Sequence, residues 1–108
     1  MKKPSSETRE NALAMLNSVN NAEFQYVLGV MAEIKAIGKE LQAQIMEERV
    51  DFYEGKSTAE TKDDSEAREI QWINDARQQA NILWGRARER GVSANMLDLL
   101  SYAIEQYI

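Results

Sequence analysis

The sequence contains no histidine and no cysteine. Histidine is the commonest general base and neutral metal ligand, and cysteine supplies reactive thiolates and disulfide bonds. Their absence excludes histidine-dependent catalytic triads, thiol nucleophiles, disulfide frameworks and the usual zinc sites. Catalysis would depend on carboxylates, lysines or tyrosines, and no sequence motif places such a group as an acid or base. We therefore expect a protein that is not an enzyme and that binds no metal ion or other cofactor.

Long hydrophobic runs are also missing. A membrane-spanning helix needs roughly 18 or more consecutive apolar residues, and the sequence contains no such run. Two lysines occur near the start, but no apolar stretch follows them, so a secretory signal is not expected. With 108 residues, of which 44% are hydrophobic, the chain can bury one modest core. These features predict a single domain located in the cytoplasm.

Basic residues are fewer than acidic ones, with 13 lysines and arginines against 18 aspartates and glutamates. The net charge of −5 opposes binding to nucleic acid, because such binding depends on cations that neutralise phosphates. We therefore expect the chain to bind another protein, a second copy of itself, or both. Nucleic acid and membranes are not expected partners.

The residue types that are abundant favour helices. Pro4 is the only proline, and most of the five glycines lie where a helical pattern changes. This composition predicts an all-α domain without strands. The helices are predicted over residues 6–17, 22–54, 66–90 and 94–107, with a polar, mobile loop over residues 55–65.

The longest predicted helix, over residues 22–54, carries the clearest pattern in the chain. Its apolar stripe follows alternating spacings of three and four residues, and comprises Phe24, Val27, Met31, Ile34, Gly38, Leu41, Ile45, Glu48 and Phe52. A helix of this length spans ~50 Å, and a coiled-coil stripe needs a partner helix along it. Residues 66–90 carry a second seam that contains three alanines, which permit close approach. We therefore predict a long antiparallel hairpin with a short helix at each end, completed into a helical bundle by a second copy.

Two residues of the long stripe have specific predicted roles. Gly38 is expected opposite Leu83 and Trp84, where the missing side chain makes room for a bulky one. Glu48 is the one acid on the stripe, and it is expected either where the stripe meets the loop or against a dimer partner. The other acids of this helix are expected on a solvated face.

The stretch ARERGVSANMLDLL, residues 87–100, has the spacing of the turn in a DNA-binding helix-turn-helix. The arginines before the turn, Arg86, Arg88 and Arg90, are candidate nucleic-acid contacts. However, the helix after the turn contains no lysine or arginine, and it carries Asp98 and Glu105. A recognition helix should offer hydrogen-bond donors to phosphates and bases. The sequence therefore favours a corner between two packed helices over a DNA-reading motif.

Apolar and aromatic residues off the main seams indicate further packing surfaces. We predict that these side chains form a partner or dimer interface, with tryptophan and tyrosine as anchors. They are Tyr26, Val30, Ile37, Trp72, Trp84, Tyr102 and Tyr107. Short helices at the two ends of the chain are the alternative cover for this second stripe.

The predicted function is binding. The size, acidity and helical pattern suit a small regulator, adaptor or inhibitor that occupies a surface of a larger cytoplasmic protein, and they fit a bacterial or phage-encoded modulator. One alternative is a helix-turn-helix-like DNA-binding regulator that uses residues 84–107. A second alternative is a structural coiled-coil component of an assembly, or a chaperone.

Overall fold

The computed structural model describes residue 10 and residues 21–108. Within this part of the chain it contains three helices and no strand, which confirms the all-α prediction. The helices are α1 (Asn21–Tyr53), α2 (Lys62–Glu89) and α3 (Ala94–Tyr107). The first described helix is therefore the long one. The short helix predicted over residues 6–17 lies outside the described residues, apart from residue 10.

Contacts between α1 and α2 lie at both ends of the pair. Arg49 and Glu69 form an ion pair of 2.8 Å near the end of α1 and the start of α2. At the other end, the Arg90 guanidinium lies 4.2 Å from the centre of the Tyr26 ring. The start of α1 therefore lies beside the end of α2, and the two helices contact each other over most of their length.

The third helix, α3, packs against both of the others at this second end. The Trp84 indole of α2 donates a hydrogen bond to the Leu97 carbonyl of α3 at 3.1 Å. The Ser93 backbone N–H donates to the Glu23 carboxylate of α1 at 2.7 Å. The core lies where the three helices meet. It comprises Val27, Val30, Ile34, Ala80, Ala87, Val92, Met96, Leu100, Ala103 and Ile104.

Glycines terminate both α1 and α2 in the same way. Gly55 and Gly91 have φ of 74° and 86°, a left-handed conformation in which glycine carries no Cβ penalty. After α2, the Val92 N–H bonds to the Ala87 carbonyl, and the Gly91 N–H bonds to the Arg88 carbonyl. This is the Schellman arrangement, and burial of Val92 completes it. The predicted corner between two packed helices is thus built by Gly91.

The start of α2 differs from the predicted start at residue 66. Thr61 is the N-cap, and its hydroxyl accepts a hydrogen bond from the Asp64 N–H at 3.1 Å. Asp63 and Asp64 therefore lie in the first turn, where the helix dipole favours negative charge. Ser65 is buried within the helix. The connecting loop is consequently shorter than the predicted loop over residues 55–65.

Gly38 makes a close helix contact, but not with the predicted neighbours, Leu83 and Trp84. A Cβ atom at Gly38 would lie 2.9 Å from the Tyr107 Cβ and 3.0 Å from the Tyr107 carbonyl carbon. The missing side chain therefore makes room for the backbone of the last turn of α3. The prediction differed because it placed α2, and not α3, opposite Gly38.

Substitution of Gly38 by alanine should lower the stability of the fold. The added methyl group overlaps the Tyr107 backbone, and overpacking of this kind costs about 1–3 kcal/mol. Gly29 is the matched control, because it lies on the same helix and nothing lies within 4 Å of a Cβ added there. Gly29→Ala should raise stability by roughly 0.5–1 kcal/mol through helix propensity. Urea unfolding of both variants checks this, and a gain in stability for Gly38→Ala would contradict the contact.

Candidate interaction surface

The third helix covers only one end of α1 and α2. Beyond its last turn, residues 41–53 of α1 and 62–76 of α2 form a two-helix extension, which we call the arm. Four of the six large hydrophobic residues exposed in the described part of the chain lie on the arm. These are Met46, Val50, Tyr53 and Ile70, with exposed fractions of 62%, 48%, 93% and 60%. Two helices alone leave apolar side chains uncovered here.

One groove of the arm lies on the same side of the α1–α2 pair as α3. Its apolar residues are Phe52, Tyr53, Ile70 and Ile73. Its charged residues are Arg49, Lys62, Glu66 and Glu69. We call this surface the arm face. Positions 38, 45, 49 and 52 follow helical spacing along α1, so the arm face lies on the same side as Gly38 and its α3 contact.

A second groove follows α1 and α2, and none of its lining residues belongs to α3. It consists of two adjacent depressions that share Ile37 and Gln79. Its apolar residues include Ile37, Trp72, Ile82 and Leu83. Its charged residues are Glu33, Glu40, Asp75 and Arg86. We call this surface the Trp72 groove, and its charged rim is mostly acidic.

Four of the predicted interface residues make contacts within the chain. Val30 is buried in the core, and Trp84 packs against the core while bonding to α3. Tyr26 also packs against the core and lies under the Arg90 guanidinium. Tyr107 forms the last turn of α3 over Gly38, with the Lys35 ammonium 5.9 Å from its ring centre. These four side chains therefore contact α2, α3 or the core that the three helices share.

The other three predicted interface residues lie nearer the surface. Ile37 and Trp72 are half-buried, and they line the Trp72 groove from opposite helices. Tyr102 is half-buried on α3. Ile37 and Trp72 are thus brought together, whereas Tyr102 lies on a different helix. Sequence reasoning missed the arm face as a unit, although Ile70 and Ile73 were recognised as part of a helical seam.

The three arginines before the corner have different surroundings. Arg90 lies over Tyr26, and the Arg88 guanidinium lies 5.9 Å from the centre of the Trp84 ring. Arg86 is exposed at the Trp72 groove. The helix that follows, α3, uses much of its surface for packing, because Met96, Leu100, Ala103 and Ile104 are buried. Its exposed residues include Asp98 and Glu105.

Glu48 is buried within the arm, next to the loop that joins α1 to α2. The Ser57 hydroxyl donates to its two carboxylate oxygens, at 3.0 and 2.6 Å. The Ser65 hydroxyl donates at 2.9 Å, and an Arg68 guanidinium N–H donates at 3.3 Å. The acid on the apolar stripe therefore lies at the loop end, one of its two predicted locations, and it connects α1, the loop and α2.

The same contacts shift the acidity of Glu48. The Ser57 hydrogen bond is the main cause that lowers the pKa of this carboxyl group from 4.5. Burial acts in the opposite direction, while the Ser65 and Arg68 contacts lower the pKa further. Because the hydroxyls and the guanidinium hold the ionised form, Glu48 serves as an anchor for the loop rather than as a proton donor.

Metal-binding clusters and membrane-spanning helices are both absent from residue 10 and residues 21–108. No group of three or more acidic side chains in this range is arranged to hold a metal ion. No helix in this range is long and apolar enough to cross a membrane. Comparison of the chain with protein-family models, curated proteins and solved structures gave no match. The surfaces themselves are therefore the basis for a functional proposal.

Stability should depend on pH through Glu48. Since its pKa is lowered in the folded chain, its contribution is present above pH 4.5 and is lost as the pH falls through the folded-state pKa. Glu48→Gln removes this contribution, so the unfolding free energies of the two proteins should differ near neutral pH and converge in acid. Glu47→Gln, at the exposed neighbouring position, should follow the wild-type curve. Urea unfolding from pH 7 to 3 checks this, and a constant difference between wild type and Glu48→Gln would contradict it.

Proposed function

We propose that this chain is a small acidic protein-binding regulator, adaptor or inhibitor that acts by occupying a surface of a larger cytoplasmic protein. Its antiparallel hairpin of α1 and α2 serves as the scaffold, and two copies associate as a homodimer. The Trp72 groove is the docking site for the larger protein. No catalytic step is part of this proposal.

The observation that carries the proposal is the apolar floor of the Trp72 groove. Trp72, Ile37 and Leu83 are half-buried, and Ile82 is 55% exposed. Tryptophan is among the residues most often found as anchors in protein interfaces. From Glu33 to Gln44 the groove follows α1 for about 17 Å, which is the length of roughly three helical turns. A groove of this shape suits an amphipathic helix that places apolar residues along it.

Charge on the rim defines the chemistry of the partner. Among the described residues that line the groove, three are acids, Glu33, Glu40 and Asp75, and one is a base, Arg86. An amphipathic helix with lysine or arginine beside its apolar face would complement this rim. Because the rim charges are exposed, added salt should weaken their attraction for a basic partner and slow the association. We therefore propose a basic amphipathic helix as the segment that docks.

Ile82→Glu tests the docking site. This change places a charge on the apolar floor at an exposed position, so the fold should survive while partner affinity falls at least about tenfold. Ile70→Glu is the matched control, because Ile70 is 60% exposed on the same helix but lies on the arm face. The measurement is capture from an extract of the native host with mass spectrometry. Titration of the purified partner by calorimetry at two salt concentrations follows.

The expected result is loss of the partner with Ile82→Glu, retention with Ile70→Glu, and weaker binding at high salt. Equal capture by both variants would overturn the Trp72 groove as the docking site. Duplex DNA is the remaining competitor, and a gel shift at low salt favours detection of phosphate contacts. Salt-dependent binding of wild type to random duplex, together with no protein capture, would support the helix-turn-helix alternative instead.

A further inference from the structure

The centre of the arm face is an apolar area that the described residues leave exposed or half-buried. Ile70 is exposed and Ile73 is half-buried on α2, and on α1 the exposed Met46 adjoins the half-buried Ile45. The pair of Arg49 with Glu69 shows which parts of α1 and α2 are level. Ile45 and Met46 lie one turn before Arg49, so they are level with the turn of α2 that follows Glu69. The four apolar residues therefore lie at the same level of the two helices.

Charges on α2 flank this area in a self-complementary order. Glu66, Ile70, Ile73 and Arg77 follow spacings of four, three and four residues, so they share one face of the helix. The order along this face is acid, apolar, apolar, base. When two such helices pack antiparallel about a centre between Ile70 and Ile73, each Glu66 lies beside Arg77 of the other copy. Each Ile70 then lies beside Ile73 of the other copy.

We infer that the arm face is the interface of the homodimer, occupied by the arm face of a second copy. The two-fold axis crosses α2 between Ile70 and Ile73, and the two α2 helices run antiparallel. A two-fold interface uses the same patch on both subunits, so the patch must complement itself. The acid-to-base order of α2 meets this requirement. This inference specifies the dimer of the proposed function, and it does not depend on what binds the Trp72 groove.

The position of α3 is compatible with this arrangement. Its last turn lies over Gly38, which is two helical turns before Ile45 on α1. The apolar centre of the arm face therefore lies two turns from this contact along α1. In the antiparallel register the first turn of the second copy's α2 lies level with Arg77 and Asn81, which line a depression with Ile104 and Glu105 of α3. The crossing angle of the two α2 helices, roughly 20° or 50° for packed helices, has to carry that turn past α3. The Trp72 grooves, which include no arm-face residue, stay accessible on both copies.

Charge reversal tests the inference. Glu66→Arg and Arg77→Glu should each weaken the dimer by at least about tenfold, because each change places two like-charged pairs at the interface. The double variant Glu66→Arg/Arg77→Glu restores both opposite-charge pairs, so its dissociation constant should return close to that of wild type. Both positions are exposed, which keeps the fold of one chain intact. Sedimentation velocity over a series of concentrations measures the dimer, and circular dichroism checks the helix content.

Mixing the two single variants provides the sharper result. A chain with Glu66→Arg and a chain with Arg77→Glu form two opposite-charge pairs with each other, although each alone forms only like-charge pairs. The mixture should therefore dimerise where neither variant does. Dimerisation of wild type with no rescue in the mixture or the double variant would overturn the antiparallel interface. A wild type that stays monomeric at millimolar concentration would overturn the dimer itself.

Two further variants separate this inference from the docking proposal. Ile70→Glu should abolish the dimer and retain the protein partner, whereas Ile82→Glu should do the opposite. Loss of the dimer with Ile82→Glu but not with Ile70→Glu would move the interface to the Trp72 groove and overturn the inference. Loss of partner capture with Ile82→Glu alone leaves the dimer experiment unaffected, so failure of either proposal can be recognised independently.

Discussion

The junction of Val27, Val30 and Ile34 with the other two helices is the contact on which the rest of the structure depends. These residues share one face of α1, and they are buried in a single cluster to which both other helices contribute. The cluster contains Ala80 and Ala87 of α2, together with Met96, Leu100, Ala103 and Ile104 of α3. The corner at Gly91 follows from this shared burial, because α3 must leave α2 abruptly to reach α1. The hydrogen bond from Ser93 to Glu23 then ties the corner to α1.

The two ends of the long helices are held by different forces. The end near α3 is stabilised by burial of apolar side chains, while the arm depends on a buried carboxylate that organises hydroxyl and guanidinium groups. Directed polar contacts set the position of the loop, but they bury little apolar surface. The arm should consequently open more readily than the three-helix end in hydrogen exchange. A partner that packs on the arm would supply the apolar burial that the arm lacks.

The periodicity of the sequence predicted the helices, but it did not predict how they pack against one another. The stripe of α1 predicted a helix over residues 22–54, close to the observed Asn21–Tyr53, and it identified Glu48 as an exception on an apolar face. The predicted start of α2 at residue 66 was too late, because Thr61, Asp63, Asp64 and Ser65 are all residue types that cap helices and only the geometry shows that the Thr61 hydroxyl does so. The partner of Gly38 was missed because helical spacing gives the direction of a side chain, but not which of two neighbouring helices lies there. The Trp72 groove and the arm face likewise could not be predicted without knowing on which side of the α1–α2 pair α3 packs.

Gly38 also determines how far the three-helix part extends. The backbone at Tyr107 rests where a side chain would be, so α3 can lie close to α1 only as far as a residue without a Cβ allows. The next positions on that side of α1 are Ile45 and Phe52, both bulky. A glycine at position 45 instead of 38 would shift the point of closest approach by two turns, about 10 Å, toward the tip of the arm. The point at which the last turn of α3 can approach α1 most closely, next to the surface left for other molecules, therefore depends on a single absent side chain.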